Sequence, residues 1–176
     1  MSYRGVAALA IAAQLLAGPS RALAHDVSAA AKRKPYSVCA EVGGAYGVNF
    51  PSLLRASLVV NRTFVDRFEI GVGMRFGTAS DALLLEPGAR AVVLFHLAGM
   101  LDLQVGWWVG YARVSKELPN GRLGLDMFNT TALLAVTYRL SHRFELRATP
   151  LAISGYLSDG IWAFTVEPSA GMAVRF

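Results

Sequence analysis

IWAFTVEPSAGMAVRF, residues 161–176, decides the fold, because its two alternating sets of residues differ in chemistry and do not mix. Trp162, Phe164, Val166, Pro168, Ala170, Met172, Val174 and Phe176 form one set, and Ala163, Thr165, Glu167, Ser169, Gly171, Ala173 and Arg175 the other. A period of two is that of a β-strand, whose successive side chains point to opposite faces. The stretch therefore predicts a strand with one apolar and one small or charged face.

The pattern recurs upstream. Phe68, Ile70, Val72, Met74 and Phe76 alternate with Glu69, Gly71, Gly73, Arg75 and Gly77, and Leu101, Leu103, Val105, Trp107, Val109 and Tyr111 with Asp102, Gln104, Gly106, Trp108 and Gly110. Segments of about ten residues separated by turn signals suit a membrane barrel. Strands are predicted near residues 36–47, 53–64, 68–77, 84–97, 101–114, 126–140, 144–156 and 161–176. Connections 65–67, 98–100 and 141–143 are tight, whereas 47–52 and 115–125 are longer. The expected class is all-β, an eight-stranded antiparallel up-and-down transmembrane β-barrel.

Alternation alone does not say which face points inward; the polar set does. A water-facing exterior would carry many Lys, Glu and Gln, as in a soluble lipocalin-like barrel. The three lysines are Lys32, Lys34 and Lys116, none in a strand core, and the polar face is Gly, Ala, Ser and Thr with scattered Arg and Glu. Small residues suit the crowded interior of an eight-stranded barrel, so the apolar set is assigned to lipid. Aromatic residues mark both rims of that face. Phe64, Phe68, Phe95, Tyr138, Phe144 and Phe176 fall at the tight-turn end, and Tyr46, Tyr111, Phe128 and Trp162 at the other.

Hydrophobic residues make up 54% of the chain and charged residues only 16%, yet the longest apolar run, Gly5 to Gly18, is shorter than the roughly 20 residues of a membrane helix. Arg4, the apolar run 6–17 and Ala22-Leu23-Ala24 have the layout of an export signal. The predicted organisation is a signal peptide over 1–24 cleaved after Ala24, a periplasmic linker over 25–35 containing Lys32-Arg33-Lys34, and a barrel over 36–176. Of the 17 basic residues, Arg4 and Arg21 lie in the leader, so 15 would face 12 acidic ones in the exported chain. That small excess does not point to nucleic acid. Cys39 is the only cysteine, which excludes an intramolecular disulfide.

The inward set holds the residues that could do chemistry. Glu41, Glu69, Glu86, Asp102, Glu145 and Glu167 face Arg55, Arg75, Arg90, Arg139, Arg147 and Arg175, six acids against six bases. In a narrow lumen such a balance predicts mutual pairing, since an unpaired buried charge is strongly disfavoured. Arg55, Arg75 and Arg90 come from adjacent strands, and the alternative is that they line an anion site or permeation path along one wall. Pro87, Pro150 and Pro168 each remove a ladder donor within a strand, and bulges are expected at all three. A faint repeat is visible: Arg67-Phe68-Glu69-Ile70 matches Arg143-Phe144-Glu145-Leu146, and Glu86-Pro87 matches Glu167-Pro168. Strands four apart face each other across such a barrel.

Catalysis would need a nucleophile, a base and an orienting group together. His25 lies in the linker, His96 beside a tight turn and His142 within one. No Cys/His cluster has metal-ligand spacing, Gly71-Val72-Gly73 lacks the spacing of a nucleotide loop, and no cofactor is expected.

The leader, the eight strands and the ending Gly171-Met172-Ala173-Val174-Arg175-Phe176 resemble the small bacterial outer-membrane β-barrel proteins of the OmpA/OmpX type. The resemblance implies insertion among outer-membrane lipids, both mature termini in the periplasm, and recognition of Ala170, Met172, Val174 and Phe176 by the barrel assembly machinery. It leaves any external ligand unspecified, because the group spans unrelated functions. The expected function is a non-enzymatic structural or surface-interaction role with a salt-bridged, largely plugged lumen. Alternatives are a narrow channel for small solutes or ions, and a lipid-modifying enzyme.

Overall fold

The computed structural model describes residues 34–64, 67–118 and 121–176. The expected signal peptide and residues 25–33 of the expected linker lie outside the described residues. Nine strands follow: β1 Tyr36–Val48, β2 Leu53–Phe64, β3 Phe68–Thr78, β4 Ala82–Ala98, β5 Leu101–Leu118, β6 Gly121–Arg139, β7 Phe144–Ser158, β8 Ile161–Val166 and β9 Ser169–Arg175. β8 and β9 are two halves of one stave, so the barrel has eight staves.

Each stave pairs antiparallel with its neighbour in sequence, and β8 and β9 pair back onto β1, closing the ring. Closure leaves no unpaired edge around the barrel wall. A path of paired residues from Ser37 runs through Asn61, Gly71, Arg90, Trp108, Thr131, Ser154 and Thr165 and returns to β1 at Gly47, a stagger of ten residues (47 − 37 = 10). Such shear tilts the staves by roughly 35–45°. Inward glycines let neighbouring residues crowd the interior; a Cβ on Gly73 would lie 2.9 Å from the Val59 Cα.

The two faces of the final stave fall as the alternation predicts. Trp162, Phe164, Val166, Met172, Val174 and Phe176 are exposed, whereas Ala163, Thr165, Glu167, Ala173 and Arg175 are buried. The same inversion runs around the ring, with the rim aromatics of both ends among the exposed side chains. Half-exposed in water, each large apolar side chain forfeits on the order of 1 kcal/mol relative to hydrocarbon. Trp107, on this outer face, satisfies its indole N–H by donating to Thr130 Oγ1 at 2.7 Å, which hydrocarbon requires of any polar group.

Two expectations need correction. Residues 115–125 are not a long loop: β5 and β6 continue as a ladder through Lys116↔Leu123 to Leu118↔Gly121. Pro119-Asn120-Gly121 is a turn sequence. At 18 and 19 residues, β5 and β6 exceed the roughly 9–11 that a tilted membrane strand needs. β6 pairs with β7 only from Phe128, so this hairpin projects past its β7 neighbour.

Nor do all three strand prolines sit at bulges. Around Pro150 the register slips by one residue against both neighbours, from Leu134↔Leu151 to Val136↔Ala148 on one side and from Ile153↔Val166 to Thr149↔Ser169 on the other. Pro150 and Leu151 are consecutively exposed, as an extra residue in β7 demands. Around Pro87 the register on β5 is unchanged from Leu85↔Arg113 to Gly88↔Gly110. At Pro168 the stave is interrupted without slipping against β1, from Tyr46↔Val166 to Gly43↔Ser169. There Gly44 N donates to Pro168 O at 3.1 Å and Glu167 N to Ala152 O at 2.8 Å, so the carbonyl and amide beside the missing donor stay paired.

Deleting Pro150 is expected to regularise β7 and leave a heat-modifiable, folded barrel in detergent. Deleting Val105 from an unbulged stretch shifts the parity of the rest of β5 and should abolish folding. Gel mobility before and after heating checks both; a folded Val105 deletion beside an unfolded Pro150 deletion would contradict the bulge assignment.

Candidate functional site

The inward face of the staves collects the charges into stacked tiers. At the end carrying the tight turns, Arg175 of β9 donates from Nε to Glu145 at 2.6 Å, from Nη2 to Glu69 at 2.5 Å and from Nη1 to Thr63 at 2.9 Å. Beside it at the rim, Asp102 lies 3.4 Å from Arg139 and 3.0 Å from His96.

The middle tier centres on Glu41 of β1. Its Oε1 is 2.9 Å from Arg147 Nε and 3.7 Å from Arg90 Nη1. Its Oε2 accepts from Ser169 at 2.8 Å and Thr149 at 3.3 Å, while Arg90 Nη2 donates to Asn61 at 2.7 Å.

The third tier joins Arg55 and Arg75 to Glu86 and Glu167. Arg55 pairs with both glutamates, and Arg75 pairs with Glu167 and lies 3.6 Å from Glu86. Arg55 also donates to Tyr156 at 2.9 Å, and Arg75 to Thr131 at 2.8 Å. The Arg75 guanidinium stands 5.3 Å from the ring centroid of Trp108, a cation–π distance. Beyond this tier an apolar cluster of Ala45, Leu53, Leu84, Ala112, Met127, Tyr156 and Ala163, with Phe50 stacked on Tyr156 at 4.4 Å, fills the lumen towards the long-hairpin end.

All twelve inward charges thus meet at least one partner of opposite sign. Arg55, Arg75 and Arg90 border one cavity but belong to two tiers: the first two share a tier with Glu86 and Glu167, while Arg90 sits with Glu41 and Arg147. The physical reason is shear, because horizontal neighbours in a tilted barrel are not neighbours in strand register. A cavity of about 70 Å³ lies between the middle and third tiers, and one of about 10 Å³ lies on the other side of the middle tier.

The repeated motifs converge pairwise. Glu69 and Glu145 meet the same arginine, Arg175, and Glu86 and Glu167 both hold Arg55 and Arg75. Sequence reasoning missed Tyr156, Thr131 and Trp108 as contributors and missed the apolar cap, although Leu53 and Leu84 share inward parity with Arg55 and Glu86.

His96 and His142 both lie at the tight-turn end, and Cys39 is buried with its thiol 3.4 Å from Glu41. Among the described residues no group of three or more His, Cys, Asp and Glu side chains is placed to hold a metal ion. Outside the lumen, Ala170, Met172, Val174 and Phe176 form one exposed row on the last stave, and Phe176 stacks on Tyr36 at 6.2 Å.

No family model matches the chain, and no curated protein matches it in sequence. Solved structures do resemble it. Neisserial surface protein A (NspA) superposes with a TM-score of 0.70 at 17% identity, covering 80% of this chain and 97% of that one. The N-terminal β-barrel domain of Pseudomonas aeruginosa OprF gives 0.56 at 15% identity, over 80% and 99%. Ail, the attachment invasion locus protein of Yersinia pestis, gives 0.52 at 10% identity, over 80% and 99%. The fold is that of the small bacterial outer-membrane β-barrels.

Replacing Glu167 with Gln leaves Arg55 and Arg75 to share one carboxylate, and the barrel is expected to lose about 3–5 kcal/mol of unfolding free energy. Glu69→Gln should cost clearly less, since Arg175 keeps Glu145. Urea unfolding of the refolded barrels in micelles measures both, and equal losses would contradict the tiered sharing.

Proposed function

We propose that this chain is an integral outer-membrane barrel with a non-enzymatic structural or surface-interaction role, its lumen largely plugged by ion pairs and its mature termini in the periplasm. The observation that carries the proposal is the inversion of the barrel: an apolar exterior around an interior whose twelve charges are mutually paired. A soluble barrel would need the opposite arrangement, and a water-filled pore would leave its lining charges solvated.

The long-hairpin end supports the surface-interaction part. The β5–β6 hairpin carries Arg113 3.8 Å from Asp126 and links to the β3–β4 turn through Lys116, 3.0 Å from Asp81. Such exposed pairs contribute little stability, which leaves their charges available to a partner. Two of the similar structures bear names that place them in surface roles, a surface protein and an attachment invasion protein. The outward row of Ala170, Met172, Val174 and Phe176 is where the assembly machinery would engage the chain, and the rest of the exterior meets lipid.

A second reading, a narrow channel lined by Arg55, Arg75 and Arg90, has one observation in its favour, the cavity of about 70 Å³ that these arginines border. Conduction would require parting Arg55 and Arg75 from Glu86 and Glu167 and displacing the apolar cap. Purified protein in planar bilayers is expected to show no steady conductance at high protein load. Reproducible single-channel steps would establish the channel and remove the plug.

A further inference from the structure

The cavity of about 70 Å³ between the middle and third tiers has a charge environment unlike the rest of the lumen. Four guanidiniums border it, those of Arg55, Arg75, Arg90 and Arg147. The carboxylates pairing with them are three, Glu41, Glu86 and Glu167, each shared between two arginines. The guanidiniums bordering the cavity thus outnumber the carboxylates paired with them by one, with Arg90 and Arg147 reaching also to the smaller cavity that holds Glu69 and Glu145. The carboxylates of Glu69 and Glu145 sit one tier away, where both meet Arg175. In a low-dielectric wall this local imbalance is felt strongly.

Two buried donors add to it. Trp108, 2% exposed, lines the cavity, and its indole N–H finds no acceptor among the described residues; neither does the Nε of Arg90, 5% exposed. A buried donor without an acceptor is costly. Room for one water is about 10–15 Å³ on this scale, so the space admits a small ion together with water.

We propose that the cavity is a binding site for a small monovalent inorganic anion of the halide class, held by Arg90, Arg147 and the Trp108 N–H between the two tiers. Charge matching selects valence: one negative charge neutralises the local excess, whereas a divalent oxyanion would overshoot it. The proposal rests on the closed lumen described above. Steady conductance would overturn the plug whatever iodide does, while failure of the iodide test overturns the anion site alone.

The test uses the refolded barrel carrying Trp107→Phe and Trp162→Phe, which leaves Trp108 as the only tryptophan. Iodide is titrated at constant ionic strength and Trp108 fluorescence is read. Quenching should saturate, should be relieved by chloride, and should not be relieved by sulfate. In the same background Arg90→Gln should weaken iodide binding by on the order of tenfold, the worth of one hydrogen bond to a charged group. Glu41→Gln, which enlarges the positive excess, should strengthen binding. The two variants predict opposite signs, so either one that folds suffices. No quenching, quenching strictly linear in iodide, equal relief by sulfate, or a variant shift of the wrong sign would each overturn the site.

Discussion

Twelve ionised side chains share the inside of an eight-staved cylinder too narrow to hydrate them, and most other features follow from that confinement. Taking a charge out of water costs several kcal/mol, and pairing it returns about as much. The network therefore contributes less to net stability than to uniqueness: loss of any shared partner strands a charge, so one arrangement of staves is strongly selected. The convergence of Glu69 with Glu145 on Arg175, and of Glu86 with Glu167 on Arg55 and Arg75, ties staves on opposite sides of the ring together. Favourable burial is left to the exterior, where the apolar residues are satisfied only by lipid.

Much of this was legible in the residue pattern. The period of two placed the final stave's faces because Trp162 to Phe176 and Ala163 to Arg175 differ so sharply in chemistry. The equality of acids and bases on one parity announced pairing. Which acid meets which base was not legible, since shear moves Arg90 away from Arg55 and Arg75 and beside Glu41 and Arg147. The ladder beyond Val114 was hidden by its charged residues, which belong on a projecting hairpin. The prolines were ambiguous for a different reason. A missing N–H can be absorbed by an extra residue, as at Pro150, or by a local break that keeps its register, as at Pro168, and composition does not distinguish them.

The two ends of the barrel differ in kind. One is closed by tight turns and by the Arg175 and Asp102 groups; the other is capped from inside by Leu53, Leu84, Met127 and Tyr156 and extended outside by the β5–β6 hairpin. The chamber in the middle of the barrel is bordered by four guanidiniums, those of Arg55, Arg75, Arg90 and Arg147.

The central claim is the inversion, with apolar residues against lipid and charges sequestered within. It is tested most directly by nitroxide labels placed singly at Val72, Val105 and Val166, all outward-facing, in a Cys39→Ser barrel reconstituted in bilayers. The account predicts relaxation by oxygen dissolved in the hydrocarbon and protection from a water-soluble nickel chelate at all three positions. Strong relaxation by the nickel chelate at these sites would contradict it.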